Sequence, residues 1–249
     1  MSFRGRDYNY ATSSAPYINF TGGLGTLQAG DVIVIAMVCR ANYGINWPNG
    51  LTQIYRAYLG NYTFGLGWKV LDSTDTSRGN FTWPDSSTAF LVLGNAFYNV
   101  LQVTPIVDYV QTLSPGVISP ASLDILQNTV LNDDLLWLSM RGTDSTTITT
   151  TFPSGYSDNF ERFNSYQANG IGGIASAYKL ANPLVFNTNV NGVCTLNTGA
   201  YAYGLTALIK FAKSNDATLT GTLPGAIEAD VVAGGKTLII TLPSSTWIT

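Results

Sequence analysis

The fold class is decided by one apolar stretch, Val32-Ile33-Val34-Ile35-Ala36-Met37-Val38. Most of these side chains are β-branched, which suits the pleated surface of a strand. Apolar residues occupy odd and even positions alike, and Gly30-Asp31 and Arg40 bound the run. Because successive side chains of a strand point to opposite faces, this pattern predicts a strand that is buried on both faces.

Further strand signals follow along the chain. Residues 52–58 alternate polar and apolar side chains, while residues 89–93 and 135–138 are short apolar runs. Turn-forming Gly and Pro separate the runs at residues 47–50, 114–116 and 152–155. No stretch of a dozen residues keeps a period of 3.6, and residues 124–127 predict a single helical turn at most. The sequence therefore predicts an all-β protein.

The order of these signals repeats along the chain. Residues 31–97 and residues 134–211 contain the same five elements in the same order. These are an Asp-to-Arg strand, a Pro-x-Gly turn, a strand with an aromatic end, an aromatic-Lys run and a closing strand. The offset of roughly 100 to 115 residues predicts two similar β-units. We expect them to close as one jelly-roll-like antiparallel β-sandwich over residues 1–213, since each half supplies only four or five strands. Two sandwiches side by side are the alternative.

Residues 216–249 predict a small C-terminal unit that is rich in β-structure. The pattern indicates a strand at 217–223, a helical turn at 227–233 that ends at Gly234-Gly235, and a strand at 236–242. So small a unit buries little core by itself. We therefore expect it to mediate docking or oligomerisation.

Low charge is the main feature of the composition. The 249 residues include 12 Lys/Arg and 15 Asp/Glu, which gives a net charge of −3 and a charged fraction of 11%, where a typical soluble domain has about 25%. Neutral hydroxyl and amide groups cost less to desolvate than charges, so such a surface suits packing against many neighbours. Since no basic cluster is present, nucleic acid is not expected as a partner.

The sequence also predicts no membrane insertion. The longest apolar run, residues 32–39, is too short to cross a bilayer, and polar residues follow Arg4 and Arg6 where a signal peptide would have an apolar core. We therefore expect a protein that begins in the cytoplasm in which it is made. Cys39 and Cys194 lie in apolar runs and are interpreted as buried reduced thiols, with a disulfide between them as the alternative.

The inventory of reactive side chains favours a protein without catalysis. Histidine is absent, and the two glutamates are Glu161 and Glu228, so a glycosidase pair would come mostly from aspartates. Three Asp pairs fall in predicted loops, where Asp commonly forms turns: Asp72 with Asp75, Asp133 with Asp134, and Asp144 with Asp158. A loop Ca²⁺ site is the functional alternative, but the ligand spacing of such loops is missing. We expect no catalytic residues, metal ligands or cofactor.

Aromatic residues provide the candidate binding site. Several cluster between residues 43 and 83 among Asn, Asp and Thr, a composition with which β-sandwiches hold sugars on flat aromatic faces. The candidate glycan-binding residues are Tyr43, Trp47, Tyr55, Tyr58, Tyr62 and Trp83. The alternative is that most of these rings belong to the core or to subunit contacts.

Two stretches resemble bacteriophage proteins. Residues 29–211 loosely resemble β-sandwich proteins encoded among tailed-phage virion genes. The resemblance rests on Ala29-Gly30-Asp31 before an apolar strand, a Pro-x-Gly turn and Gly67-Trp68-Lys69-Val70. Residues 219–222, 227–242 and Thr246-Trp247 are similar to a module near the C-termini of phage and prophage structural proteins. Neither resemblance brings catalytic residues with it.

The resemblance implies a virion structural protein that is assembled in the host cytoplasm. We expect a tail fibre, spike or baseplate-associated component, built as a trimer or hexamer, that contacts other virion proteins and has host surface glycans as a candidate ligand. Three alternatives remain open: a capsid head decoration (cement) protein, a carbohydrate-active enzyme such as a depolymerase, and a secreted lectin-like protein.

Overall fold

The computed structural model places the strands and the short helix along most of the chain. It describes residues 1–11, 16–19, 26–40, 46–48, 50–78, 80–83, 89–114, 134–143, 148–152, 155–163, 172–180, 193–196, 202–212, 229–233 and 236–240.

The first half contains seven strands and one short helix among the described residues. These are β1 (Ser2–Ala11), β2 (Tyr17–Asn19), β3 (Val32–Cys39), β4 (Thr52–Leu59), β5 (Tyr62–Val70), α1 (Ser73–Arg78), β6 (Asn80–Thr82) and β7 (Phe90–Tyr98). The second half contributes β8 (Ile106–Ser114), β9 (Asp134–Thr143), β10 (Ile148–Thr151), β11 (Ser157–Phe163), β12 (Gly173–Lys179), β13 (Val193–Leu196) and β14 (Ala202–Phe211). The chain continues with β15 (Ala229–Ala233) and β16 (Lys236–Ile240).

Each half forms one five-stranded antiparallel sheet. The first sheet has the order β1-β7-β3-β5-β4, and the second has the order β8-β14-β9-β12-β11. Counted along the chain within each half, both orders are first, fifth, second, fourth, third. In the sequence repeat, β3 is equivalent to β9, β4 to β11, β5 to β12 and β7 to β14. Equivalent strands occupy matching positions in the two sheets.

The two sheets pack face to face. Strand β3 lies against β9 and β12, β7 against β12, and β5 against β14. Their shared core takes every second residue of β3, β5, β7, β9 and β14, for example Val34, Phe64, Leu93, Leu138 and Ala207, all completely buried. Burial of so much apolar surface drives the association of the sheets.

Strand β3 is buried on its other face as well. Ile33, Ile35 and Met37 point away from the second sheet into an outer core with Ile18 of β2 and Phe81 of β6, and β2 pairs with β6. All eight residues of β3 are buried, which confirms the strand predicted for this stretch. A corresponding outer core on the second sheet includes Trp137, Tyr156 and Leu208 among others.

The prediction of an all-β antiparallel sandwich is confirmed. The jelly-roll order is not confirmed, because the chain completes the first sheet before it begins the second, whereas a jelly roll distributes two Greek keys over its sheets. The helix α1 escaped sequence reasoning because its six residues, Ser73–Arg78, are too few to display an apolar period.

The predicted helical turn at residues 227–233 is wrong. Ala229–Ala233 is strand β15, and it pairs with β16 in a register that brings Ala233 opposite Lys236. The two residues between them in the sequence are glycines, a pair that favours two-residue hairpin connections over helix ends. The strand predicted at 217–223 and the helical turn at 124–127 lie outside the described residues.

The two cysteines occupy different sheets. Cys39 ends β3, where its buried side chain carries a thiol rather than a disulfide. The backbone of Cys194 lies in β13, opposite Thr150 of β10. The reduced-thiol interpretation of Cys39 is therefore confirmed.

A close contact between the sheets yields a test of this packing. A Cβ atom added at Gly142 of β9 would collide with the ring of Tyr62 on β5, so we expect Gly142→Ala to lower the free energy of unfolding by about 1–3 kcal/mol through overpacking. Chemical denaturation measures the loss. In a Tyr62→Leu background the same substitution should cost less, and equal costs in both backgrounds would contradict the contact.

Candidate functional site

The predicted glycan-binding residues are divided among several environments. Tyr62 is 3% exposed and belongs to the core between the sheets, while Trp83 is 0% exposed and belongs to the outer core of the first sheet. A sugar contact needs an open ring face. These two rings therefore belong to the core, which was the alternative to glycan binding. Tyr43 lies outside the described residues.

Trp47 lies on the outer face of the first sheet. A Cβ atom at Gly67 of β5 would come within 3.2 Å of the Trp47 ring, so the glycine lets the indole lie directly against the strand. The Trp47 Nε1–H donates to Gln53 Oε1 at 3.1 Å, and the ring centroid lies 6.4 Å from that of Trp83. Trp47 therefore covers the buried Trp83 and remains half-buried itself.

The tyrosines of β4 point to opposite faces. Tyr55 pairs with Leu66 and packs against the core between the sheets, while Tyr58 pairs with Thr63 and is 45% exposed. Cross-strand partners share a face of the sheet, so Gln53, Arg56 and Tyr58 all lie on the outer face, where Trp47 also lies. Among the described residues of the predicted region, these four, here called the β4 outer row, lie on a face that is open to a ligand.

A buried ion pair lies at the end of β5, beside α1. Lys69 Nζ donates to Asp75 Oδ1 at 2.8 Å and lies 2.7 Å from Asp75 Oδ2, with Asp72 Oδ2 at 3.6 Å. The backbone N–H of Asp72 donates to Asp75 and that of Asp75 donates to Asp72, a reciprocal cap at the start of the helix. Hydrogen bonding by the Asp75 N–H lowers the pKa of the Asp72 carboxyl, and the nearby Lys69 ammonium acts in the same direction.

This arrangement gives the Asp pair a structural explanation. Both carboxylates are satisfied by a helix terminus and a lysine, as expected for capping rather than for acid catalysis or Ca²⁺ binding. Two further aspartates that were assigned to loops lie in strands instead: Asp134 begins β9 and is buried, and Asp158 lies in β11. Asp133 and Asp144 lie outside the described residues.

Sequence reasoning missed an arginine that connects the two sheets. Arg6 of β1 donates through Nε to Asn95 Oδ1 at 3.1 Å and through one terminal nitrogen to the Asp158 carbonyl at 3.0 Å, and its other terminal nitrogen lies 3.0 Å from the Asp158 carboxylate. Asn95 Oδ1 also accepts from Ser176 Oγ of β12 at 3.1 Å. Burial lowers the pKa of the Arg6 guanidinium, while the Asp158 carboxylate opposes this shift.

Arg6 also belongs to a stack of rings and guanidinium groups. Its guanidinium carbon lies 5.1 Å from the Phe3 ring centroid and 4.8 Å from that of Phe160, and Arg162 lies 4.9 Å from the Tyr8 ring. Such contacts between cations and rings strengthen when they are shielded from water. The stack joins the edge strands β1 and β11, so side chains close this side of the sandwich.

The Arg6 contact carried only a faint signal in the sequence. Residue 158 is 152 positions away from residue 6, so no local pattern connects them. Asp158 has a φ of +54° beside an irregularity in the pairing of β11 with β12, and Asp is one of the few residue types that tolerate this conformation.

Among the described residues, no group of three or more His, Cys, Asp or Glu side chains is placed to bind a metal ion. In the same part of the chain, no helix has the length and apolar character needed to cross a membrane. No protein-family model, curated protein or solved structure matches the chain.

The burial of Trp83 and the exposure of Tyr58 predict different costs of substitution. We expect Trp83→Ala to lower the free energy of unfolding by about 3–5 kcal/mol, because it empties a large site in the outer core. Tyr58→Ala should change it by less than about 0.5 kcal/mol. Thermal and denaturant unfolding measure both, and a near-neutral Trp83→Ala would contradict the core assignment.

Proposed function

We propose that this chain is a non-enzymatic structural protein of a tailed-bacteriophage particle. Within the particle we assign it to the tail end, as a fibre, spike or baseplate-associated component. The resemblance of residues 29–211 and 219–247 to phage virion proteins supports this assignment. The low charge of the chain supports it too, since few charges would have to be desolvated on close packing against other subunits.

The observation that carries the proposal is the contact between the three parts of the first resemblance. Gly30 N–H donates to the Leu71 carbonyl and Leu71 N–H donates to the Asp31 carbonyl, both at 2.8 Å, which joins the start of β3 to the end of β5. Gly50, just before β4, has a φ of +81°, and a Cβ atom there would come within 2.8 Å of Lys69 Nζ. Residues of the resemblance that are far apart in sequence thus form one corner of the sheet, as expected if the three parts belong to one structural unit.

The C-terminal hairpin supports a role in assembly. Within the described part of the chain, β15 pairs only with β16, and the sandwich is complete at β14. A two-stranded hairpin is marginally stable by itself. We therefore assign residues 216–249 to docking on another subunit or on another protein of the particle.

The β4 outer row is the candidate contact for a host surface glycan. It combines the rings of Trp47 and Tyr58 with the Gln53 amide and the Arg56 guanidinium on one face. Rings and hydrogen-bonding side chains in this combination suit the apolar and hydroxyl faces of a sugar. Binding to immobilised bacterial polysaccharide that Tyr58→Ala abolishes without a change in melting temperature would support this ligand.

The direct test of the function is mass spectrometry of purified phage particles from a strain that encodes the chain. We expect its peptides in the particles, at a copy number of a few trimers or hexamers. Hundreds of copies would instead assign the chain to the capsid as a decoration protein. Absence of the chain from intact particles would overturn the proposal.

A truncation separates assembly from folding. We expect a chain that ends at residue 215 to remain folded, because β1–β14 already form both sheets, and to lose its attachment to particles. Circular dichroism and co-sedimentation with particles lacking the protein measure the two properties. Unfolding of the truncated chain would mean that residues 216–249 belong to the core.

A further inference from the structure

One side of the sandwich is built around a stack of rings and arginines. Since β7 packs on β12 and β5 on β14, the edge strands β1 and β11 lie on one side and β4 and β8 on the other. Tyr8 of β1 pairs with Leu93, which lies in the core between the sheets, so Tyr8 points towards the second sheet. Phe160 of β11 packs against the same core, and Arg162 follows two residues later on the same face. Side chains of both sheets therefore meet at this edge.

Two arginines flank the Phe160 ring in different environments. The guanidinium carbon of Arg6 lies 4.8 Å from the ring centroid, and that of Arg162 lies 5.2 Å from it. The Arg6 side chain is 8% exposed and pairs with the Asp158 carboxylate. Arg162 is exposed, and its guanidinium carbon also lies 4.9 Å from the Tyr8 ring centroid. One arginine is thus neutralised inside the stack, while the other ends the stack at the surface.

The charges of the two edge strands make Arg162 the positive end of this side. They are Arg4, Arg6 and Asp7 on β1 and Asp158, Glu161 and Arg162 on β11. Asp7 and Glu161 alternate with Tyr8 and Arg162, so they point to the other faces of their sheets. Of the carboxylates on these two strands, the one that reaches the stack is that of Asp158, which Arg6 already holds. The exposed guanidinium is therefore available to an anionic group of a ligand.

The backbone and the neighbouring rings fix the stack in place. Asp158 has a φ of +54° and lies at an irregularity in the pairing of β11 with β12. Such irregularities redirect side chains and occur often beside binding sites. At the inner end of the stack, the Phe3 ring lies on the Tyr178 ring of β12, with their centroids 4.5 Å apart. The stack is thus anchored on both sheets.

We propose that Tyr8, Phe160 and Arg162, here called the Arg162 platform, bind a uronic acid residue of an acidic polysaccharide. The planar carboxylate of the sugar accepts two parallel hydrogen bonds from the Arg162 guanidinium, which lies over the two rings. The Tyr8 ring, 40% exposed, covers the apolar C–H face of the sugar. Because the rings already position the guanidinium, binding costs little conformational freedom.

Other ligand classes use less of the platform. A neutral sugar leaves the guanidinium without an anionic partner, and an inorganic anion makes no use of the Tyr8 ring. A nucleic acid needs several cations, whereas the platform has one and the chain has a net charge of −3. The platform is separate from the β4 outer row, because β1 and β4 are opposite edges of the first sheet. The proposal therefore depends neither on that row nor on the phage assignment.

Isothermal titration of the full-length chain with trisaccharides of galacturonic acid and of glucuronic acid tests the platform. We expect at least one of them to bind with a Kd below about 1 mM, and its fully methyl-esterified form, which lacks the charge, to bind at least about tenfold more weakly. Arg162→Gln should raise the Kd at least about tenfold for the same reason. Arg162→Lys should raise it by a smaller factor, because the charge remains while the paired donors are lost.

Lys179→Gln is the matched control for the loss of one positive charge. Lys179 ends the neighbouring strand β12 and pairs with Leu135 of the outer core, so it lies on the opposite face of the second sheet. This variant should leave the Kd unchanged. Circular dichroism establishes that each variant is folded. If Arg162→Gln unfolds, Tyr8→Leu replaces it and should raise the Kd at least about threefold through loss of the ring.

Several outcomes overturn the proposal. No binding of either trisaccharide at about 10 mM overturns it, as does binding that the folded Arg162→Gln variant leaves intact or that Lys179→Gln weakens equally. Equal affinity for triglutamate would identify an acidic peptide as the ligand, and equal affinity for inorganic phosphate would identify an anion site without a sugar; each excludes the uronic acid assignment. These results are distinguishable from failure of the phage assignment, which is decided by the content of purified particles.

Discussion

The structure depends on two central strands whose side chains are apolar on both faces. A single sheet would expose one face of β3 to water, so β3 needs a second sheet on one side and the β2–β6 pair on the other. Strand β9 meets the same requirement in the second half, with Leu136, Leu138 and Met140 directed inwards and Leu135 and Trp137 outwards. The layered arrangement follows from this demand for burial, because each layer removes a further apolar face from water.

The polar contacts determine how the layers are aligned rather than whether they associate. Arg6 lies at the edge of the sandwich and is satisfied by Asn95 and Asp158, which belong to different sheets. Removing the partners of a buried guanidinium lowers the free energy of unfolding far more than losing one apolar contact does. The contacts of Arg6 therefore oppose sliding of one sheet over the other. The opposite side has one charged residue on each of its edge strands. The two sides of the sandwich thus differ in the charge of their edge strands, although the two halves share one strand order.

This asymmetry connects the fold to the proposed function. A particle protein packs against many neighbours, and a sparsely charged edge suits that need because few charges have to be desolvated. The corner formed by Asp31, Gly50 and Lys69 has a different role, since its hydrogen bonds and its glycine fix the positions of three strands. These residues therefore belong to the scaffold, while the proposed function assigns contacts to the β4 outer row and the C-terminal hairpin.

The sequence by itself determined the all-β class, the central strand at residues 32–39 and the matching order of elements in the two halves, because these depend on local alternation and turn chemistry. It did not determine whether Gly234-Gly235 ends a helix or joins a hairpin, since short segments fit both patterns. Only the tertiary structure decided which aromatic rings are buried: Trp83 and Tyr58 both belong to the aromatic-rich region between residues 43 and 83, yet one fills an outer core and the other faces solvent. It alone also brought Arg6 to Asp158, because contacts between distant strands depend on sheet order and stacking, which no local pattern encodes.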